Sequence, residues 1–509
     1  MTVTTLESRD SIIQAMQTAE FYDHDVTEIT MLQTHISWVF LTGEFAYKVK
    51  KPVDFGFLNF TELPQRKHFC EEEIRLNKRL ADDIYLTTVT ITGTESKPEL
   101  NGSGEPIEYA VKMRQFDQSQ LADSLLSSDM LKPQHIDNIA DQVARFHQSI
   151  PHINKESELG SAATVNAPVI QNFDQLDPLI KDDDARAQLA RIKSWSEAEY
   201  KKIEPVLSQR KRDGYIKECH GDMHLGNMAL INDQITIFDG IEFNDEFRWI
   251  DVMSEIAFLF MDLFDRKAST YAYRFLNRYL EKTGDYAGIQ VFRFYLVYRA
   301  MVRAKIASFT LLTPGLSAAE QEKALQQYRS YSNLAEDFTE TKDPSLSITH
   351  GASGSGKTTV SQQILEKDGA IRIRSDIERK RLYNLEATES SKSGLGEGIY
   401  SKEASAKTYM QLEKFARMIV SAGFSVIVDA TFLQREDRQP FQELARDLSV
   451  GYFIIELEAD EAELKKRVQK RLSEQENASE ADLKVLEKQL STMKPLEEEE
   501  KGFIYQIPF

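Results

Sequence analysis

The residues best suited to do chemistry fall into two clusters. In His220-Gly221-Asp222-Met223-His224-Leu225-Gly226-Asn227 an Asp precedes an Asn by five positions, and Asp239 closes the β-branched run Ile235-Thr236-Ile237-Phe238. A hydroxyl that attacks a phosphoryl group needs a carboxylate to orient it and take its proton, the role open to Asp222. The Mg²⁺ that screens the phosphates needs hard oxygen donors, which Asn227 and Asp239 would supply. Taken singly, each of the three reads as a turn or cap residue. Their order and spacing together favour chemistry.

The second cluster is Gly351-Ala352-Ser353-Gly354-Ser355-Gly356-Lys357-Thr358, a complete G-x-x-x-x-G-K-[ST] pattern. Leu346 and Ile348 alternate as a strand before it, and Val360, Ile364 and Leu365 recur at helical spacing after it. Glycines let backbone N–H groups converge on phosphates, and the helix N-terminus adds positive potential. The expected ATP cradle is Gly351, Ser353, Gly354, Ser355, Gly356, Lys357, Thr358 and Thr359. Lys357 would reach the β- and γ-phosphates and take part in catalysis, while Thr358 would ligate Mg²⁺.

Downstream positions complete that site. Asp376 lies just past the next strand, where it could accept a proton from an acceptor hydroxyl, with Arg379 a helical turn onward as substrate clamp. The plainer alternative is a helix-capping Asp beside a surface Arg. A third strand, Phe424 to Val428, ends in Asp429, a candidate metal residue or a structural one. Arg467 and Arg471 share one helix face and could close over ATP; solvated helix arginines are the alternative.

The first cluster needs positioning elements too. In the strand Phe45-Ala46-Tyr47-Lys48, Lys48 is the expected phosphate lysine, and Lys50 on the same face is the runner-up. A helix from about Pro64 to Ala81 carries Phe69, Glu73, Leu76 and Leu80 on one stripe, which selects Glu73 over Glu71 and Glu72 as the lysine's partner. Strands are expected over His35–Leu41, Tyr85–Thr92 and Glu108–Phe116, the last placed where an interlobe hinge would hold adenine. The pattern is then mainly helical to Leu334, apart from Glu218–Asp251. A polar linker spans 336–345, and strands and helices alternate beyond it, as in a parallel α/β sheet. Glu497–Glu500 reads as a solvated acidic patch.

These motifs carry two resemblances. The stretches GASGSGKTT, IRSDIERKRL, VIVDAT and RVQKR resemble the small P-loop kinases grouped around gluconate kinase, zeta toxins and polynucleotide kinase, over about Ser345 to Leu490. The region from about Val26 to Phe264 looks like the aminoglycoside phosphotransferase and choline kinase family. That resemblance implies a bilobal protein-kinase-like fold, with Asp222 as base, Asn227 and Asp239 as metal ligands, and Asp251 bracing the loop. One departure is the lack of a glycine-rich loop before Lys48; the polar turn Thr34–Ser37 stands there instead. The combined order resembles bacterial bifunctional proteins that join an aminoglycoside phosphotransferase-like domain to an ATP-binding one. The implied architecture is a kinase-like domain over 1–335 (N-lobe about 1–116, C-lobe about 117–335) and a P-loop domain with a parallel sheet over 346–509.

Bulk properties bound the reading. A chain of 509 residues calls for two or three domains, and 41% hydrophobic with 28% charged residues is ordinary for a soluble protein. A net charge of −19 disfavours a surface that grips nucleic acid or anionic lipid. Two cysteines and the lack of a leader or membrane-length apolar run point to the cytoplasm. The expectation is a bifunctional ATP-dependent phosphotransferase acting on hydroxyls of small polar metabolites. Two alternatives stay open. One is a regulatory kinase-like module beside a nucleotide switch; the other is a polynucleotide 5′-kinase using the basic run Arg372, Arg374, Arg379, Lys380 and Arg381.

Overall fold

Alternating aromatic and β-branched residues drive the chain before Lys50 into antiparallel strands. The computed structural model describes residues 11–313, 315–341, 343–391, 393–394, 397–474 and 479–506, leaving aside the side chains of 471–474. Two units emerge, the first made of the residues up to Asn138 with Arg145–Thr164 and Lys211–Glu255. Its main sheet has six strands: β1 (Thr30–Gln33), β2 (Ser37–Leu41), β3 (Phe45–Lys50), β4 (Tyr85–Thr94), β5 (Lys97–Leu100) and β6 (Glu108–Arg114). They lie in the order β1-β2-β3-β6-β4-β5, all antiparallel.

Successive side chains on a strand face opposite ways. On β3, Tyr47 and Val49 therefore join the core cluster of Ile12, Met16, Phe40, Val89 and Ile91. Lys48 and Lys50 take the other face, where the helix Leu63–Ala81 packs beside the cluster of Cys70, Ile84, Tyr85 and Val111. Gln65 Oε1 accepts from Glu62 N at 3.3 Å, and Pro64 stands in the first turn, so capping and a preset φ start that helix. The short strands β7 (Ile216–Glu218) and β10 (Trp249–Asp251) pair with each other, and β8 (Met228–Ile231) forms a hairpin with β9 (Gln234–Ile237).

Three expectations shift here. The strand placed over His35–Leu41 starts at Ser37, because Thr34–Ser37 is a tight turn in which Ser37 N donates to Thr34 Oγ1 at 2.9 Å. That turn joins β2 to a further strand, β1, whose four residues are all exposed and show no apolar alternation. The segment Glu108–Phe116 is mostly β6, an interior strand between β3 and β4, so the chain leaves the sheet only from Gln115 onward.

The second unit holds Ile139–Ala144, Val165–Arg210 and the chain from Ile256 onward. Helices Ser269–Thr283, Ile289–Thr310 and Ala318–Thr339 precede four parallel strands. These are β11 (Ser345–His350), β12 (Ala370–Arg374), β13 (Ser425–Asp429) and β14 (Gly451–Glu456), in the order β12-β13-β11-β14. The apolar runs 426–428 of β13 and 452–455 of β14 suit a sheet covered on both faces, whereas β11 and β12 alternate apolar with polar residues. The helix before β11 runs to Thr339 because Leu334 and Ala335 are buried, so only 340–344 connects helix and strand. The acidic run at 497–500 is not simply solvated. Glu500 is buried and forms a bidentate pair with the buried Arg438, at 2.7 Å from both Nε and Nη2. Among the described residues no helix is long and apolar enough to cross a membrane.

Candidate active sites

In the first unit a chain of charges runs across β3. Lys48 Nζ lies 2.5 Å from Asp239 Oδ1 and 2.8 Å from Glu73 Oε1. Lys50 Nζ lies 2.7 Å from Glu73 Oε2 and also binds Glu242 Oε1. Glu73 therefore bridges both candidate lysines, and Lys48 is the one that touches Asp239. Burial would lower the Lys48 ammonium's pKa, but Asp239 and Glu73 outweigh it and hold it well above the ordinary lysine value. Burial would raise Glu73, yet Lys48 and Lys50 hold it at about 2. Glu242 is pushed up by burial, in part offset by Lys50.

The catalytic-loop residues converge on the same unit. Asn227 Nδ2 donates to Asp222 Oδ2 at 3.1 Å and to Asp222 O at 3.0 Å. His224 Nε2 stands 3.5 Å from Asp222 Oδ2, and Asp222 itself is half-buried. Asp239 has φ +63, a left-handed conformation in which non-glycine residues are uncommon. Its N–H donates to Tyr85 Oη at 3.1 Å, and the next N–H, of Gly240, donates to Asn77 Oδ1 at 2.7 Å. Asn227 and Asp239 offer oxygen donors, the ligand chemistry that suits a hard divalent cation.

A carboxylate that the sequence reading did not single out also braces the loop. Glu255 Oε1 accepts from Gly221 N at 2.7 Å, and its other oxygen lies 2.6 Å from His147 Nε2. Burial would raise Glu255, but His147 keeps it below the usual carboxylate range. Asp251 Oδ1 accepts from Met253 N at 2.9 Å, an interaction at a helix start. Glu255 had a visible signal, being a lone carboxylate in the apolar run 252–261. Asn77 and Tyr85 had none, since their partners are more than 150 positions away. A separate cavity of about 400 Å³ lies beside Glu242, lined by His68, Phe69, Phe243 and Arg248.

In the second unit the loop after β11 is shaped by positive-φ glycines. A Cβ on Gly351 would sit 2.6 Å from Leu457 O and 2.7 Å from Ser355 Oγ, so only glycine fits there. Lys357 Nζ donates to Gly351 O at 2.9 Å and Ala352 O at 2.8 Å, folding back over its own loop. Thr358 Oγ1 donates to Asp429 Oδ2 at 3.0 Å, which brings the two expected metal residues together. The buried Ser355 Oγ has no hydrogen-bond partner among the described residues. Glycine cradle, orphaned hydroxyl and Thr–Asp pair fit a nucleotide phosphate with its cation.

A cavity of about 760 Å³ gathers the remaining residues, including Ser353, Gly354, Gly356, Thr359, Asp376 and Arg467. Asp376 stands in the first turn of the helix Ser375–Leu382, directly after β12. Arg379 reaches the same cavity, but its Nη1 is engaged by Ile399 O at 2.9 Å and Ser405 Oγ at 3.2 Å. Arg467 Nη1 approaches Gly354 O at 3.4 Å, while its Nε is bound to Glu463. The Arg471 side chain lies outside the described residues. Gln489, not foreseen from sequence, accepts from Ser353 N at 2.8 Å, and Lys484 and Lys488 of its helix line the cavity. Their i, i+4 spacing was the available signal.

A phosphate-binding loop on a parallel sheet, together with a kinase-like antiparallel sheet carrying a lysine–glutamate pair, sets this chain among kinase-type enzymes. Comparison with known proteins agrees in part: residues 346–496 match the family model of an AAA domain. The chain is 29% identical over 431 residues to an uncharacterized protein of Mycobacterium tuberculosis (strain ATCC 25618 / H37Rv), covering 83% of each. It is equally similar to an uncharacterized protein of Mycobacterium bovis, at 29% over 431 residues and 83% of each chain. An amicoumacin kinase in complex with AMP-PNP and Ca²⁺ aligns with 65% of this chain and 96% of its own, at 11% identity and a TM-score of 0.42. A choline/ethanolamine kinase family protein from Mesorhizobium loti aligns with 65% and 99%, at 9% and a TM-score of 0.39. A gluconokinase from Sinorhizobium meliloti 1021 aligns with 30% and 77%, at 20% and a TM-score of 0.22.

Proposed function

We propose that this chain is a bifunctional ATP-dependent phosphotransferase that moves the γ-phosphate to hydroxyls of small polar metabolites, with one active site in each half. The residues assigned to chemistry at the first site lie within 1–335 and those at the second within 346–509. The reading is supported by the same set of residue types recurring in each unit, to which we assign the same division of labour. Each site combines a lysine for phosphate, a paired set of oxygen donors, and a further carboxylate to take the acceptor's proton.

At the first site Lys48 binds phosphate and Glu73 orients it, Asn227 and Asp239 hold Mg²⁺, and Asp222 accepts the hydroxyl proton. At the second site the loop amides and Lys357 bind phosphate, Thr358 and Asp429 hold Mg²⁺, and Asp376 is the base. Bound Mg²⁺ screens the charge on the phosphates at either site. The basic run does not favour a polynucleotide acceptor. Arg372 pairs with Glu281, Lys380 with Glu480, and Arg381 with Glu378, so most of its charge is met internally. The test is ATP consumption by purified protein against pooled sugars, aminoglycosides, amino alcohols and RNA 5′ ends. Turnover with a small hydroxyl compound, lost in part with Asp222→Ala and in part with Lys357→Ala, is the expected result. Turnover only with RNA ends would overturn it.

A further inference from the structure

The strand that delivers Asp376 is supported by residues outside the family match. β12 is an edge strand of the parallel sheet, and an open edge leaves backbone groups without a ladder partner. The helix Ser269–Thr283 closes it. Asn277 Nδ2 donates to Ala370 O at 2.9 Å, while its Oδ1 accepts from Arg372 N at 2.6 Å, so one amide side chain stands in for a neighbouring strand. Tyr286 Oη donates to Arg372 O at 3.3 Å, one step further along the same edge.

Four residues after Asn277, Glu281 reaches the two arginines of β12. Its Oε1 accepts from Arg372 Nη2 at 2.7 Å and Nε at 3.1 Å, and its Oε2 lies 3.5 Å from Arg374 Nη1. Arg372 then uses its remaining nitrogen on the phosphate-loop helix. Nη1 donates to Thr358 O at 3.0 Å and Ser361 Oγ at 3.1 Å. Thr358 and Ser361 both donate to the same oxygen of Asp429, at 3.0 Å and 3.3 Å. A continuous chain of polar contacts thus links Glu281 to the two metal residues. Arg374 lines the cavity itself, alongside Asp376 and Asp429.

We propose that Glu281 is a positioning residue of the P-loop site, holding Arg372 against Thr358 and Ser361 and fixing Arg374 at the cavity wall. The proposal rests on the reading of that loop as an ATP and Mg²⁺ site. Charge explains why a glutamate is needed. Arg372 and Arg374 point to the same side of β12, and without a shared anion the buried Arg372 and half-buried Arg374 guanidiniums would repel each other and drift from the loop. Burial would raise the Glu281 pKa, but both arginines hold it below the usual carboxylate range, so the anion is present at neutral pH. The family match beginning at residue 346 therefore leaves out a side chain that the site uses.

The test uses the full chain and reads binding of a fluorescent ATP analogue to the second site as Mg²⁺ is varied. That site's signal is the part abolished by Lys357→Ala. Glu281→Gln is expected to raise the Mg²⁺ needed for half-maximal binding by about tenfold, the scale of lost outer-sphere support at metal sites. Asn277→Ala, which opens the strand edge without touching a charge, should lower the melting temperature and leave the Mg²⁺ requirement in place. Should Glu281→Gln fail to fold, Glu281→Asp keeps the charge on a shorter stem and should show a smaller shift in the same direction. An unchanged Mg²⁺ requirement in the Glu281 variants, with Lys357-dependent binding intact, overturns the positioning role. Absence of any Lys357-dependent binding in the unaltered chain instead sinks the loop reading, and the proposal with it.

Discussion

Lys48 and Asp239 meet at 2.5 Å, ammonium to carboxylate, at the point where β3 faces the end of the β8–β9 hairpin. Lys50, two residues on, is tied instead to Glu242, which is only 4% exposed. The two lysines should therefore fail differently. Lys48→Met leaves Glu73 paired with Lys50, so turnover at the first site should fall by about 10²-fold, as for loss of a preorganised charge. Its stability should fall only modestly. Lys50→Met strands Glu242 and should cost about 3–5 kcal/mol of stability, the usual scale for breaking a buried pair. Denaturant unfolding of both variants, alongside their turnover, checks this; equal stability losses would contradict it.

The same network sets an acid limit. Glu73 is held at about 2 against an ordinary value of 4.5. A carboxylate depressed on folding adds stability above its unfolded pKa and loses it as pH falls through the folded one. Stability should therefore decline from about pH 4.5 toward pH 2, and Glu73→Gln should flatten that decline. Glu242, raised by burial, adds stability as pH falls only above about pH 4.5, so it leaves the decline below that pH to Glu73. Unfolding free energy measured across this window decides the matter, and parallel slopes for both proteins would remove Glu73 from the account.

Asp222→Ala should abolish transfer at the first site and leave ATP binding there largely intact. Asp222 is half-buried and held by Asn227, whereas Asp239 is paired with Lys48 and is the proposed metal ligand. Full turnover in this variant would reduce the first half to a binding module.

At the second site, Asp376→Asn keeps the shape and removes the basicity, so kcat should fall by about 10²–10⁴ with ATP affinity preserved. Arg379→Ala should raise the acceptor KM. It should also lower the melting temperature, because Arg379 holds Ile399 O and Ser405 Oγ. Steady-state kinetics on an identified acceptor separates these effects. If Asp429→Asn altered acceptor kinetics and neither of the others did, the base would be Asp429.

Much of this was legible in the sequence because it is local. The spacing of Asp222, Asn227 and Asp239 and the loop from Gly351 to Thr358 are read within a few residues of each other. Glu73 followed from helix periodicity, although the buried stripe runs through Arg66, Cys70, Glu73 and Asn77 rather than Phe69. What stayed hidden depends on distant partners. Asn77 meets Gly240, Gln489 meets Ser353, and Glu281 meets Arg372, pairings that no local period encodes. β1 was missed because an exposed edge strand carries no apolar alternation. Glu500 was misread because an acidic run hides which member turns inward.

Calorimetric titration with a non-hydrolysable ATP analogue and Mg²⁺ tests most directly whether the chain carries two nucleotide sites. The unaltered chain should bind one nucleotide at each site. Lys357→Ala should remove the second, Asp239→Ala the first, and the double variant should bind none. A single site in the unaltered chain, or full binding retained in Lys357→Ala, would contradict the account.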